Sequence, residues 1–179
     1  MKMFSKILNK KLKIYHNFIS DQECEVLNTW ILENKSKSFF KDAGMNGNRI
    51  TTRYSNEDEI TYPKTAFEIR NKIISKLNLN NYKKPPYPYG MVASCAFQGD
   101  TCYEHLDPIW YKGYTTLHCN VKLSNSLKGD VVIEKETVEI KKKDLWVYEV
   151  SKKNHGSNTV KGNIPRTMWV FGFCIKNDE

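Results

Sequence analysis

Tyr103-Glu104-His105-Leu106-Asp107 is the stretch on which the chain turns. Side chains two apart on a β-strand point to the same face, so His105 and Asp107 converge there and Tyr103 shares their side. An imidazole and a carboxylate set this way can grip one divalent cation. A second imidazole then completes a set of two nitrogens and one oxygen that leaves the opposite face of the ion open. His155 is available for that role, in the turn-like segment Lys152-Lys153-Asn154-His155-Gly156-Ser157. Arg166 follows at the head of an apolar run, and its planar fork suits a carboxylate. Zinc accepts the same donors, but no helical zinc motif with a general-base glutamate accompanies them.

Around this stretch the pattern is of strands. The expected strands are 91–97, 101–105, 114–123, 130–133, 136–140, 144–150 and 166–175, separated by Gly99-Asp100, Ser124-Asn125, Gly129, Gly156 and Gly162-Asn163. The amino-terminal part differs. A short strand within 12–18 leads to Ser20-Asp21-Gln22-Glu23, a capping box, and a helix to about Asn34 carrying Cys24, Leu27, Trp30 and Ile31 on one stripe. A polar loop at 42–48, a strand at 49–54 and a second helix follow. That helix has Pro63 in its first turn and Ala66, Ile69, Ile73 and Leu77 as its apolar stripe. Helices followed by many short strands imply a mainly β protein, a sandwich or jelly roll with the helices packed on its major sheet.

The 179 residues, 40% hydrophobic and 12% aromatic, suit one folded domain over 1–179, with helical support over about 1–80 and the β core over about 90–176. No run reaches the ~18 apolar residues of a membrane span, and the start lacks a signal-peptide pattern. Five cysteines without a Cys-x-x-Cys pair read as buried free thiols in a reducing, cytoplasmic setting. The net charge of +8 is spread over scattered lysines, which speaks to solubility rather than to nucleic acid, and no nucleic-acid-binding motif is present.

The ordered set His105-x-Asp107, His155 and Arg166 resembles the Fe(II)/2-oxoglutarate-dependent oxygenases, specifically the prolyl 4-hydroxylase-like branch. Ile14-Tyr15-His16-Asn17-Phe18-Ile19-Ser20-Asp21-Gln22-Glu23-Cys24 is similar to that family's strand-to-helix opening. Asp144-Leu145-Trp146-Val147-Tyr148 stands where the family has the strand before its distal histidine. The resemblance implies a double-stranded β-helix, with Fe(II) on His105, Asp107 and His155 and Arg166 on the far carboxylate of 2-oxoglutarate. It implies O2 as co-substrate, succinate and CO2 as products, and ascorbate as a reductant. Retention of Asp107, which related halogenases replace with a small residue, favours hydroxylation of a peptidyl residue such as proline or of a small amino-acid-like molecule. Two departures stand out. The branch often has a tyrosine on 2-oxoglutarate just upstream of the first ligand, where this chain has Cys95 and Ala96, and the usual glycine pair is reduced to Gly129-Asp130.

Strand parity extends the site. Thr116, His118, Asn120 and Lys122 share one face of their strand, and Leu117, Cys119, Val121 and Leu123 the other. His118 and Asn120 are expected toward the co-substrate pocket, the apolar face and Trp169 toward the helices. Tyr103, Trp110 and Arg53 are candidate substrate contacts, with Tyr111 beside Trp110. Arg49 and Arg53 also fit plain surface charge on a strand. Two other functions compete: a non-catalytic jelly-roll binding module with a vestigial site, and an oxidative nucleobase demethylase. The latter is disfavoured because 166–172 lacks a second arginine.

Overall fold

The capping box forms and sets the first helix. In the computed structural model, which describes residues 12–36, 39–41 and 48–177, Ser20 Oγ accepts from the Glu23 amide at 3.1 Å. Glu23 Oε2 accepts from the Ser20 amide at 2.7 Å. Helix α1 (Asp21–Asn34) buries Cys24, Leu27 and Ile31. Helix α2 (Lys64–Leu77) buries Ala66, Ile69, Ile73 and Leu77, with Pro63 at its N-cap rather than inside the first turn. It stops at Asn78, whose φ of 51° is the left-handed conformation asparagine tolerates at a helix end.

Thirteen strands are present among the described residues. In chain order they are β1 (Lys13–Tyr15), β2 (Phe40–Lys41), β3 (Ile50–Thr51), β4 (Met91–Ala96), β5 (Cys102–His105), β6 (Tyr114–Lys122) and β7 (Leu127–Lys128). Then come β8 (Val131–Ile133), β9 (Glu136–Val138), β10 (Leu145–Glu149), β11 (His155–Ser157), β12 (Val160–Lys161) and β13 (Arg166–Lys176). They form a seven-stranded sheet in the order β1-β10-β6-β13-β4-β3-β2, a four-stranded sheet β5-β11-β8-β9 and a two-stranded ribbon β12-β7. Every pairing is antiparallel.

The large sheet is apolar on both faces, and each face builds a core. Trp169, Phe171 and Phe173 of β13 and Leu117, Cys119, Val121 and nearby Leu123 pack with Leu27, Ile31, Ile69 and Ile73 of the helices. Trp30 meets Trp169 at 5.3 Å between ring centroids, so Trp169 belongs to the helix-side core as its parity implies. On the other face, Val92, Trp146, Tyr148, Met168 and Val170 meet Val131 and Ile133 of the small sheet. The space between the sheets is therefore mostly hydrophobic, and polar groups placed in it are held in a low-dielectric setting.

Some sequence expectations shift. The strand expected over 49–54 is only β3, after which the chain turns, so Arg49 and Arg53 are not surface strand charges. Arg49 is buried, and the Arg53 side chain is 13% exposed. His155 is not in a turn but in β11, a strand that exists because β5 and β8 flank it on both sides. Most of the loop expected at 42–48, and residues 1–11 of the helical support, lie outside the described residues. All five cysteines are free and buried, and no described helix is long and apolar enough to cross a membrane.

Candidate metal centre

His105, Asp107 and His155 come together between the sheets. Their donor atoms all lie within 4.8 Å of one another. His155 pairs directly with His105 across β11 and β5, which puts the two rings 4.4 Å apart. Asp107 Oδ1 sits 3.3 Å from His105 Nε2 and 4.0 Å from His155 Nε2. The other ring nitrogens are spoken for. His105 Nδ1 donates to the Tyr103 carbonyl at 2.7 Å and His155 Nδ1 to the Lys153 carbonyl at 3.0 Å. A carbonyl only accepts, so each Nδ1 carries its proton and each Nε2 is directed at the shared centre.

Parity fails at one point, and the register shows why. His155 faces His105 but Ser157 faces Cys102, so two residues of β5, Tyr103 and Glu104, oppose the single Gly156 of β11. That is the count of a β-bulge, and the extra residue reverses alternation. Cys102, not Tyr103, thus lies inward beside His105, and Tyr103 is 55% exposed. Gly156 fits against this bulge, where an added Cβ would lie 2.5 Å from the Cys102 carbonyl oxygen.

The outer oxygen of the carboxylate has its own neighbours. Asp107 Oδ2 is 3.4 Å from His118 Nε2 and 3.7 Å from an Arg53 Nη2. The Tyr87 hydroxyl lies 2.9 Å from the same His118 nitrogen. Tyr87 reaches it across β13 at Gly172, where any Cβ would collide with the Tyr87 hydroxyl and the Pro85 ring. Asn120 Nδ2 donates to the Tyr148 hydroxyl at 3.4 Å, and the Tyr148 ring packs edge-on to His155 at 5.2 Å. His118 and Asn120 therefore face inward, and the solvated-face alternative does not apply. Arg166 is buried at the head of β13 and donates to the Gly129 carbonyl at 3.0 Å.

Charge follows from this packing. Burial pushes His118 down to about 3 and His155 down to about 4, so both imidazoles are neutral at ordinary pH. Burial opposes charge on His105 too, but its bonds to Asp107, Cys102 and the Tyr103 carbonyl carry it up to about 10. Asp107 is held well below the usual carboxylate range: burial works against its charge, and the bond to His105 with the nearby histidines and Arg53 outweighs it. Arg166 drops to about 10 on burial and stays cationic. The Cys102 thiol is lowered in spite of burial, by Arg49, His105 and Arg166. His105 and Asp107 thus carry opposite charges side by side.

The donors fit a metal. Apart from the charge pairing of His105 with Asp107, Asp107 Oδ1 and Oδ2 and His105 Nε2 are buried without a hydrogen bond. Converging buried orphans of this kind are what a divalent ion satisfies, and two nitrogens with one oxygen match a borderline ion such as iron(II). An open groove walled by Tyr54, Glu57, Pro85 and Tyr111 lies beyond Arg53 and Tyr87, the two lining residues that touch Asp107 and His118. Tyr111 lines this groove and Trp110 does not. Sequence reasoning favoured surface charge for Arg49 and missed Tyr87, Tyr148 and Cys102 here. Of these only Tyr148 carried a signal, since the parity that places His118 also places Tyr148 opposite it.

No protein-family profile matches this chain, and no curated protein does. Solved structures do match in fold. A Pseudomonas putida prolyl-4-hydroxylase aligns with a TM-score of 0.68 at 11% identity, over 99% of this chain and 98% of that one. A prolyl hydroxylase from Trichoplax adhaerens, in complex with a hypoxia inducible factor oxygen degradation domain peptide fragment, aligns at 0.66 and 13% identity, over 94% and 87%. HygX from Streptomyces hygroscopicus, with nickel and 2-oxoglutarate bound, aligns at 0.64 and 9% identity, over 97% and 86%. The chain shares the fold of these proteins nearly end to end.

Proposed function

We propose that this protein is an Fe(II)- and 2-oxoglutarate-dependent dioxygenase that hydroxylates a peptidyl residue, with a small amino-acid-like substrate as the narrower variant. The two facing sheets then make one double-stranded β-helix domain with α1 and α2 on its major sheet. The observation that carries the reading is the centre itself: donor atoms of His105, Asp107 and His155 within 4.8 Å of one another, with His105 Nε2 and both Asp107 oxygens buried and without a hydrogen bond, in a fold whose solved examples include a prolyl-4-hydroxylase.

In this reading His105, Asp107 and His155 hold the iron, and Arg166 holds the far carboxylate of 2-oxoglutarate. When bound, the metal and co-substrate supply the oxidation: O2 is consumed, 2-oxoglutarate leaves as succinate and CO2, and one oxygen atom enters a substrate C–H bond. The chain's part is orientation. The Tyr103 and Lys153 carbonyls fix both imidazoles, and His118 and Arg53 steady the outer oxygen of Asp107. The apolar walls of Val92, Val131 and Val170 keep bulk water out of the space between the sheets. The open groove favours a peptide, because an extended chain can lie along Tyr54 and Tyr111 with one residue directed past Arg53 toward the metal.

Succinate release from 2-oxoglutarate with iron and ascorbate tests this directly, as does mass spectrometry for added oxygen on a peptide and amino-acid panel. His105→Ala should abolish both metal binding and turnover. Iron affinity unchanged in that variant would overturn the site assignment, and absence of turnover across the panel would favour a binding module.

A further inference from the structure

The inter-sheet core holds a second group of unsatisfied polar atoms, separate from the metal donors. Trp146 Nε1, Arg166 Nε and Asn120 Oδ1 are all buried without a partner. Trp146 and Asn120 are each 2% exposed and Arg166 4%. Such groups are rare in folded proteins, and they point to something that completes them. Trp146 stands directly across β10 and β6 from Asn120. Trp146, Lys122 and Arg166 line one small enclosed cavity, together with Gly129, Asp130 and Met168. Lys122 is half-buried, and its ammonium donates to the Ile140 carbonyl at 3.0 Å. Two cations, Lys122 and Arg166, thus line the cavity with one carboxylate, Asp130, while Asp144 and Glu139 also act on Lys122, and an orphaned indole N–H stands beside them.

We propose that Trp146 and Lys122 complete, with Arg166, the subsite for the distal carboxylate of 2-oxoglutarate. The indole N–H supplies a neutral donor, and the ammonium adds a second cation to the guanidinium. The proposal rests on the oxygenase reading and makes it more specific. A carboxylate offers enough lone pairs for the Arg166 fork, one indole donor and one ammonium donor at once. It also explains why Cys95 and Ala96 can stand where the branch often has its tyrosine: the missing donor comes from β10 instead. Gly129 belongs to the same device. At φ 77° it gives Arg166 a carbonyl to brace on, and a Cβ there would press on the Val160 side chain and on Arg166 Cδ.

The test uses the full chain loaded with manganese(II), titrated calorimetrically with 2-oxoglutarate and with 2-oxobutyrate, which has the same 2-oxo acid head but no distal carboxylate. Trp146→Phe and Lys122→Met should each weaken 2-oxoglutarate about tenfold or more, as expected for loss of one hydrogen bond to a charged group. Both should leave 2-oxobutyrate within about twofold of the wild type. In the wild type the Trp146 indole N–H resonance should shift with 2-oxoglutarate and not with 2-oxobutyrate, a readout that stands even if Trp146→Phe does not fold. Equal weakening of both acids, unchanged 2-oxoglutarate affinity in the variants, or an unmoved indole resonance overturns the subsite. A wild type that binds neither acid overturns the oxygenase reading and the subsite with it. Full 2-oxoglutarate affinity in both variants overturns the subsite alone.

Discussion

His118 Nε2 lies 3.4 Å from Asp107 Oδ2, while Oδ1 is the oxygen nearest His105 and His155. The carboxylate thereby has two sides, Oδ1 toward the candidate ligand histidines and Oδ2 toward His118 and Arg53. Groups that orient a ligand in this way typically matter 10- to 100-fold in metal affinity, roughly. His118→Leu should therefore weaken manganese(II) binding by about that factor, measured by calorimetry, while the chain stays folded. Affinity equal to the wild type would show that Arg53 alone suffices to steady Asp107.

Acid should destabilise the metal-free protein before it protonates most carboxylates. His118 and His155 are depressed by burial to about 3 and about 4. Their unfolded forms take up protons near pH ~6.5 that the folded forms refuse, so stability falls as pH drops below that value. His105 acts in the opposite sense. With its folded value raised to about 10, its contribution is fully present below pH ~6.5 and is lost as pH rises toward 10. The melting temperature of the ion-free chain should peak between the two regimes, and a flat profile from acid to alkaline pH contradicts this account.

Gly156→Ala should damage the centre without touching a ligand. The new methyl would strike the backbone of Cys102 and Glu104 inside the bulge. Since β11 carries His155 and β5 carries His105, spreading the two strands separates the donors. A loss of about 2 kcal/mol in stability is the expected scale for such a clash, together with weaker metal binding. Thermal melts and metal titration of the one variant check both halves.

Ser20→Ala removes the cap of α1 and leaves the centre alone. The loss should be about 1 kcal/mol, seen as a lower melting temperature with metal affinity unchanged. A concurrent loss of metal binding would mean that α1 supports the site more directly than its packing on the helix-side face implies.

Much of this arrangement was legible because it is local or strictly periodic. Ser20 and Glu23 declare their cap within four residues. The alternation of β6 and β13 sorts His118, Asn120 and Arg166 from Val121 and Trp169 with no knowledge of the partner strands. The candidate donors His105, Asp107 and His155 stood out by their order along the chain, and the fold brings them together. What stayed hidden depends on neighbours distant in sequence. A two-residue β3 gives no periodicity, so the inward turn of Arg53 toward Asp107 has no signature. Tyr87 reaches His118 only because Gly172, far along the chain, leaves its path open. β11 exists only between two other strands. The bulge in β5 is a matter of counting across a ladder, and no residue within Tyr103-Glu104 announces it.

That bulge decides which side chains of β5 share the face of His105. With the extra residue in place, a thiol lies next to His105 and a phenol points to solvent. Deleting one residue between Cys102 and His105 would remove the bulge but leave Cys102 two residues from His105, on the same face by plain alternation. The thiol would therefore stay beside the candidate site, and what the deletion would take away is the second of the two residues, Tyr103 and Glu104, that stand opposite Gly156.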